Sequence, residues 1–81
     1  MRVTMQNANI RGYERRSNKA GDPYLLIHVE DSAGASTELV DKKMERASLY
    51  IRNTDVDIDL DISVGRYTTI RISDVRVIKK P

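Results

Sequence analysis

"DVDIDLDISVGRYTTIRISDVRVI", residues 55–78, decides how this chain folds. Val56, Ile58, Leu60, Ile62 and Val64 alternate without a fault with Asp55, Asp57, Asp59, Asp61 and Ser63. Successive side chains of a strand point to opposite faces, so period two predicts one buried side and one wet side. The chain turns at Gly65-Arg66-Tyr67 and comes back as a second strand. A three-residue loop there opposes Ile62 to Ile70, Leu60 to Ile72 and Asp61 to Arg71. Each pair matches in character, and a slip of one residue would turn every side chain over, so the register is specified. An exposed cross-strand ion pair such as Asp61–Arg71 is worth at most ~1 kcal/mol. Its value here is as a register marker. Ile70 and Ile72 share one parity, whereas Val75 and Val77 share the other. One extra residue at Ser73-Asp74, a β-bulge, keeps the apolar side inward and strengthens the twist.

Upstream, Val3 and Met5 alternate with polar neighbours and predict a first strand over about residues 2–11. "GYERRSNKAGDPY" is too polar and too rich in turn residues for a core, and reads as a hairpin loop or a β-wing punctuated by Gly21 and Pro23. In "LLIHVED", Leu25, Ile27 and Val29 fall on one face and Leu26, His28 and Glu30 on the other. "DSAGAS" is a turn and "TELVD" a short third strand. "DKKMERASLYIRN" fits a short helix with Asp41 as N-cap and Met44, Ala47 and Ile51 on its apolar face. The expected fold is therefore all-β: a small five-stranded OB-type Greek-key barrel with one short helix before the fourth strand and a long C-terminal hairpin.

With 81 residues the chain is expected to form one domain. A domain of this size buries only about 60–65% of its unfolded surface, so it is marginal alone and gains from a partner subunit. There is no cysteine, hence no disulfide framework, and His28 is the sole histidine. No run approaches the ~18 apolar residues of a membrane span, and "MRVTMQNAN" lacks the apolar stretch of a signal peptide. The expectation is a soluble cytoplasmic protein that needs no cofactor.

Net charge is only +2, but it is unevenly distributed. Arg2, Arg11, Arg15, Arg16 and Lys19 crowd the N-terminal third, and Arg66, Arg71, Arg76, Lys79 and Lys80 the C-terminal end. Asp55, Asp57, Asp59 and Asp61 lie between them without a base. Such segregation predicts a basic face and an acidic face. The aspartates do not read as a metal site: along one strand face they stand ~7 Å apart and do not converge on an ion, and the calcium-loop glycine and terminal glutamate are missing. They read as a solvated strand face that would repel nucleic acid. His28 has no Asp, Ser or Cys placed to complete a triad, and no nucleophile elbow or phosphate-binding glycine loop occurs. The chain is expected to have no catalytic activity and no small-molecule substrate.

The aromatic residues are Tyr13, Tyr24, Tyr50 and Tyr67, with no Phe or Trp. Tyr24 follows the Gly-Asp-Pro turn and Tyr67 sits at a hairpin tip beside Arg66. Unpaired bases stack on such rings for about 1–3 kcal/mol each, while Lys and Arg follow the phosphates. A basic wing leading into an aromatic strand start would make a stacking platform with a phosphate clamp at its edge. The plainer alternative is two surface tyrosines at turns. Tyr13 and Tyr50 are expected to pack.

"RRSNKAGDPYLL" (15–26) and "VGRYTTIRISDVRVIKKP" (64–81) resemble the DNA-binding wing and the last hairpin of the gene V-type single-stranded DNA-binding proteins of filamentous bacteriophages. The resemblance covers about half the chain. It implies an OB-type fold, a homodimer formed through the final hairpin, and coating of single-stranded DNA during phage or mobile-element replication. It places Tyr24 and Leu26 along the DNA path, Arg16 or Arg15 at the first wing arginine, Lys19 at the second basic position, and Tyr67 at the base-stacking hairpin tip. Asp22 departs from the pattern, which has a base there. Asp74 stands where the pattern has an arginine, which leaves Arg71 or Arg76 to make that phosphate contact. The expected partner is single-stranded DNA. The competing readings are an RNA binder and an OB- or SH3-like module that adds its edge strand to a protein partner.

Overall fold

A computed structural model describes residues 1–81. The strands are β1 (Arg2–Ser17), β2 (Pro23–Glu30), β3 (Ser36–Asp41), β4 (Asp55–Ser63) and β5 (Thr69–Lys79), with a 3-10 helix at Met44–Leu49 before β4. All pairings are antiparallel, in one sheet of order β3-β2-β1-β4-β5. The central strand is β1. Its first half pairs with β4 (Arg2 opposite Asp61) and its second half with β2 (Ser17 opposite Pro23). The strand is longer than the 2–11 expected, because the polar segment 12–17 continues the ladder. That segment is the rising arm of a β-wing rather than a loop, and the turn is confined to residues 18–22.

A β-bulge bends its strand and strengthens the local twist, and β1 carries two. Between Met5 and Ala8, β1 carries one residue more than β4, with Asn7 at φ +55 and its amide donating to Asp57 Oδ1 at 3.0 Å. Asparagine tolerates this left-handed conformation better than most residues. Between Ile10 and Gly12, β1 again carries one more residue than β2, with Gly12 at φ +150. In β5 the extra residue is Ser73: Asp59 faces Asp74 and Leu60 faces Ile72. The bulge expected from the parity change is thus present, and so are the pairs Ile62–Ile70, Leu60–Ile72 and Asp61–Arg71. A further irregularity, between Asp55 and Val56, was not foreseen. The ladder closes at Ser63–Thr69, which leaves Val64–Thr68 as the loop. Val64, expected on the buried side, is 76% exposed because it lies past the last pair.

Twelve buried apolar residues form one cluster. The alternation of β2 and β4 supplies Leu25, Ile27, Val29, Val56, Ile58 and Leu60, and β1, β3 and β5 add Ala8, Ile10, Leu39, Ile72 and Val75. Each Val, Leu or Ile side chain among them, fully buried, stabilises by about 1.5–3 kcal/mol. The twelfth member, Tyr50, follows the 3-10 helix, and its ring lies 6.4 Å from that of the half-exposed Tyr13.

The segment after β3 differs from its expectation. Its helix is a short 3-10 turn with no side-chain cap, and Ile51 is exposed. Asp41 is not a cap: it ends β3 with 1% exposure. Its carboxylate accepts from Tyr50 Oη at 2.5 Å, Arg46 Nη1 at 3.1 Å and the Lys43 amide at 3.0 Å. Arg46, itself mostly buried, also donates Nη2 to the carbonyl of Ser73 at 2.8 Å. The sheet's two outer strands, β3 and β5, lie against each other here without ladder pairing, and this cluster ties them. A buried charge survives only when paired and hydrogen-bonded, and Asp41 meets both conditions. Burial, and then the bond to Asp41, push the Tyr50 phenol well above its ordinary value. No helix is long and apolar enough to cross a membrane.

Candidate nucleic-acid interface

Cross-strand partners share a face, so the ladder assigns each wing side chain to a side. Leu25, Ile27 and Val29 point to the core. Their neighbours Tyr24, Leu26 and His28 therefore share the outer face with their β1 partners Arg16, Glu14 and Gly12 and, in β3, with Val40 and Glu38. Arg16 lies directly opposite Tyr24, and Leu26 directly opposite Val40. Tyr24 and Leu26 are half-buried and Val40 is 40% exposed. Asn18, Asp22, Pro23, Tyr24, Val40 and Lys42 line a depression of about 470 Å³ against this face. The wing turn that forms its rim is hydrogen-bonded on itself. Asn18 Oδ1 accepts from the amides of Ala20 and Asp22 at 3.0 and 2.9 Å, the Asn18 amide bonds the Asp22 carbonyl, and Gly21 takes φ +86.

The expected cationic residues divide into three groups. Arg15 lies opposite Leu25 and so projects on the other side of the wing from Arg16 and Tyr24; only one of the two arginines borders the aromatic face. Lys19, on the turn, and Arg66, on the hairpin tip, are exposed and outside every ion pair. Arg16 donates to Glu14 at 3.0 Å, but both side chains are about half exposed. Such a surface pair is worth ~0–1 kcal/mol, weak enough for a phosphate to displace. Glu14 also receives His28 Nε2 at 3.0 Å, and this bond, then Arg16, holds its carboxyl below the usual range.

Arg71 stands 3.8 Å from Asp61 with its side chain 72% exposed. Arg76 is occupied. It grips Asp59 through both terminal nitrogens, at 2.5 and 3.0 Å, and reaches Asp74 at 3.3 Å. Its guanidinium is raised further above its ordinary value by Asp59, and Asp59 falls to about 2 through Arg76 first and the Thr4 hydroxyl second. Arg76, expected at a phosphate, is held in an internal ion pair.

The aspartate face is likewise not simply solvated. Asp55 accepts from Asn9, Asp57 from the Asn7 amide, Asp59 from Thr4 and Arg76, and Asp61 pairs with Arg2 and Arg71. The expected division into one acidic and one basic face fails here, because β1 and β5 bring arginines and amides onto β4's carboxylates. No group of three or more acidic or histidine side chains is placed to hold a metal ion. Tyr67 is 78% exposed at the hairpin tip, and Tyr50, expected to pack, is buried.

Two contributors escaped the sequence reading. Val40 shares the outer face with Leu26, a fact carried by the alternation of "TELVD" once its pairing with β2 is known. Lys42 borders the depression because β3 ends beside the start of β2. Comparison of this chain with protein-family models, curated proteins and solved structures finds no match.

Proposed function

We propose that this protein binds single-stranded DNA, with little sequence preference and without catalysis, on the outer face of β2 and its flanking loops. The observation that carries the reading is Tyr24. It is a half-buried ring on an open face, directly opposite Arg16, beside the apolar Leu26 and Val40 and next to a hydrogen-bonded turn bearing Lys19. An unpaired base stacks on such a ring, while the cations track its phosphates.

The strand order, with β1 split between β2 and β4 and with β3 returning against β5, supports a Greek-key barrel of OB type. In that fold the β2–β3 face and the loops β1–β2 and β4–β5 take oligonucleotides. On this reading Arg16, Lys19, Arg66 and Arg71 hold phosphates, and Tyr24 and Tyr67 stack on bases. We further propose a homodimer joined through the β4–β5 hairpin, supported by Met1, Val3, Val64 and Ile70, which are exposed apolar side chains on that hairpin and on the end of the chain that pairs with it. Exposed apolar surface of this kind is a feature of association sites.

The test is fluorescence anisotropy with single-stranded, duplex and matched RNA oligonucleotides at two salt concentrations, with the mass measured on the same sample. Expected are a preference for the single DNA strand and a log-log salt slope of about −0.7 per phosphate neutralised. A duplex preference or a salt-independent affinity would overturn the reading, and a preference for the matched RNA would reassign the ligand.

A further inference from the structure

We propose that a strand lying on Tyr24 continues across the seam between β3 and β5 of the same chain, and that Lys42 and Lys43 are its phosphate contacts there. The inference rests on the single-strand reading above. Lys42 borders two depressions at once. One is the hollow beside Pro23 and Tyr24; the other, of about 320 Å³, is lined by Lys42, Lys43, Asp61, Arg71 and Ser73 among others. The wing and the final hairpin, far apart in sequence, therefore meet at this segment. Asp41, opposite Leu25 in the β2–β3 ladder, borders the second depression too.

The chemistry of the segment favours an anion. Lys42 and Lys43 are exposed, and neither enters any of the molecule's ion pairs. The nearby carboxylates are largely countered. Asp41 is buried beneath Arg46 and Tyr50, and Asp61 lies between Arg2 and Arg71. Asp22, on the rim of the first hollow, and Glu45, two residues beyond Lys43, have no ion pair. The backbone is also held in place. The Lys43 amide donates to Asp41, and Arg46 fastens the same carboxylate to the Ser73 carbonyl. Cations on a fixed backbone lose less freedom when they engage a ligand than cations on a loose loop. The seam has no exposed aromatic side chain among its lining residues, so it would carry phosphates between stacking sites rather than stack bases itself.

The test compares the wild-type protein with Lys42→Gln/Lys43→Gln, the charge-retaining Lys42→Arg/Lys43→Arg and, as a wing control, Arg16→Gln. Each is titrated with a homopolymeric single-stranded DNA oligomer across a salt series, with a melting curve to confirm the fold. Expected for the glutamine pair is a salt slope shallower by about 0.7 for each lysine lost, with an unchanged melt and with the slope restored in the arginine pair. A wild-type slope in the glutamine pair, while Arg16→Gln weakens binding, would overturn the seam path and leave the single-strand reading standing. Failure of the wild-type protein to bind the oligomer would overturn both.

Discussion

Two hairpins of this molecule, the β1–β2 wing and the β4–β5 pair, are built on the same alternation and treat their charges in opposite ways. In the β4–β5 hairpin, every aspartate on the outer face of β4 has a donor across the ladder, and Arg76 is committed to Asp59 and Asp74. In the β1–β2 wing only Glu14 forms an ion pair with a cation, Asp22 forms none, and Arg15 and Lys19 are unengaged. The difference teaches that an arginine's availability is set by the carboxylates within its reach and not by its own exposure. Arg16 and Arg76 are about equally exposed, at 51% and 48%, yet one has a single surface carboxylate and the other is gripped at both terminal nitrogens.

The seam between the two hairpins is the most sensitive point. Replacing Arg46 by alanine leaves Asp41 charged and buried without its cation, and is expected to destabilise the protein by about 3–5 kcal/mol in denaturant unfolding. A loss below ~1 kcal/mol would mean that the outer strands are held by apolar packing alone. Next in size is the aromatic contribution: Tyr24→Ala and Tyr67→Ala should each weaken single-strand binding by about 1–3 kcal/mol with an unchanged melt. If only Tyr24 matters, the wing alone carries the site.

Smaller is the contrast between arginines. Arg16→Gln should reduce both affinity and salt slope, whereas Arg76→Gln should leave the slope as it is. Equal slopes in the two variants would erase the distinction between hairpins. Smallest is a pH effect. The Asp59 carboxyl sits at about 2 in the folded chain against an ordinary 3.8. A lowered folded value contributes stability that is fully present above the unfolded value and lost as pH falls through the folded one. Stability should therefore drop between about pH 4 and pH 2, less steeply in Asp59→Asn, as read by acid titration of the melting temperature. Tyr50 has the opposite sign: its raised phenol contributes stability below the ordinary tyrosine value that is lost as pH rises above it.

Alternation and parity are local, and what they encode was legible. The register of β4 on β5, the extra residue at Ser73 and the buried face of β2 could all be read from residue order alone, because each depends only on which neighbours share a face. The extent of β1 was not legible, since residues 12–17 are polar and gain strand structure from pairing with β2 rather than from a buried face. Asp41 was misread for a related reason. An aspartate before a helical stretch has the local signature of a cap, and only Tyr50 and Arg46, arriving from beyond the 3-10 turn, make burial tolerable. At the candidate site, Tyr24, Leu26 and one of Arg15 and Arg16 could be grouped from sequence, while the ion pair of Arg76 with Asp59 and the placement of Arg15 on the opposite side required the ladder.

Ser73 links two scales of assembly. Ser73 is the residue left out of the β4–β5 ladder, and the bulged register of that hairpin places its carbonyl where Arg46 donates to it. The sheet's ends are thus coupled to a local event near one terminus of the chain, so joining them should be a late step in folding. In hydrogen exchange, the β4–β5 amides should remain protected during openings that already expose those of β3.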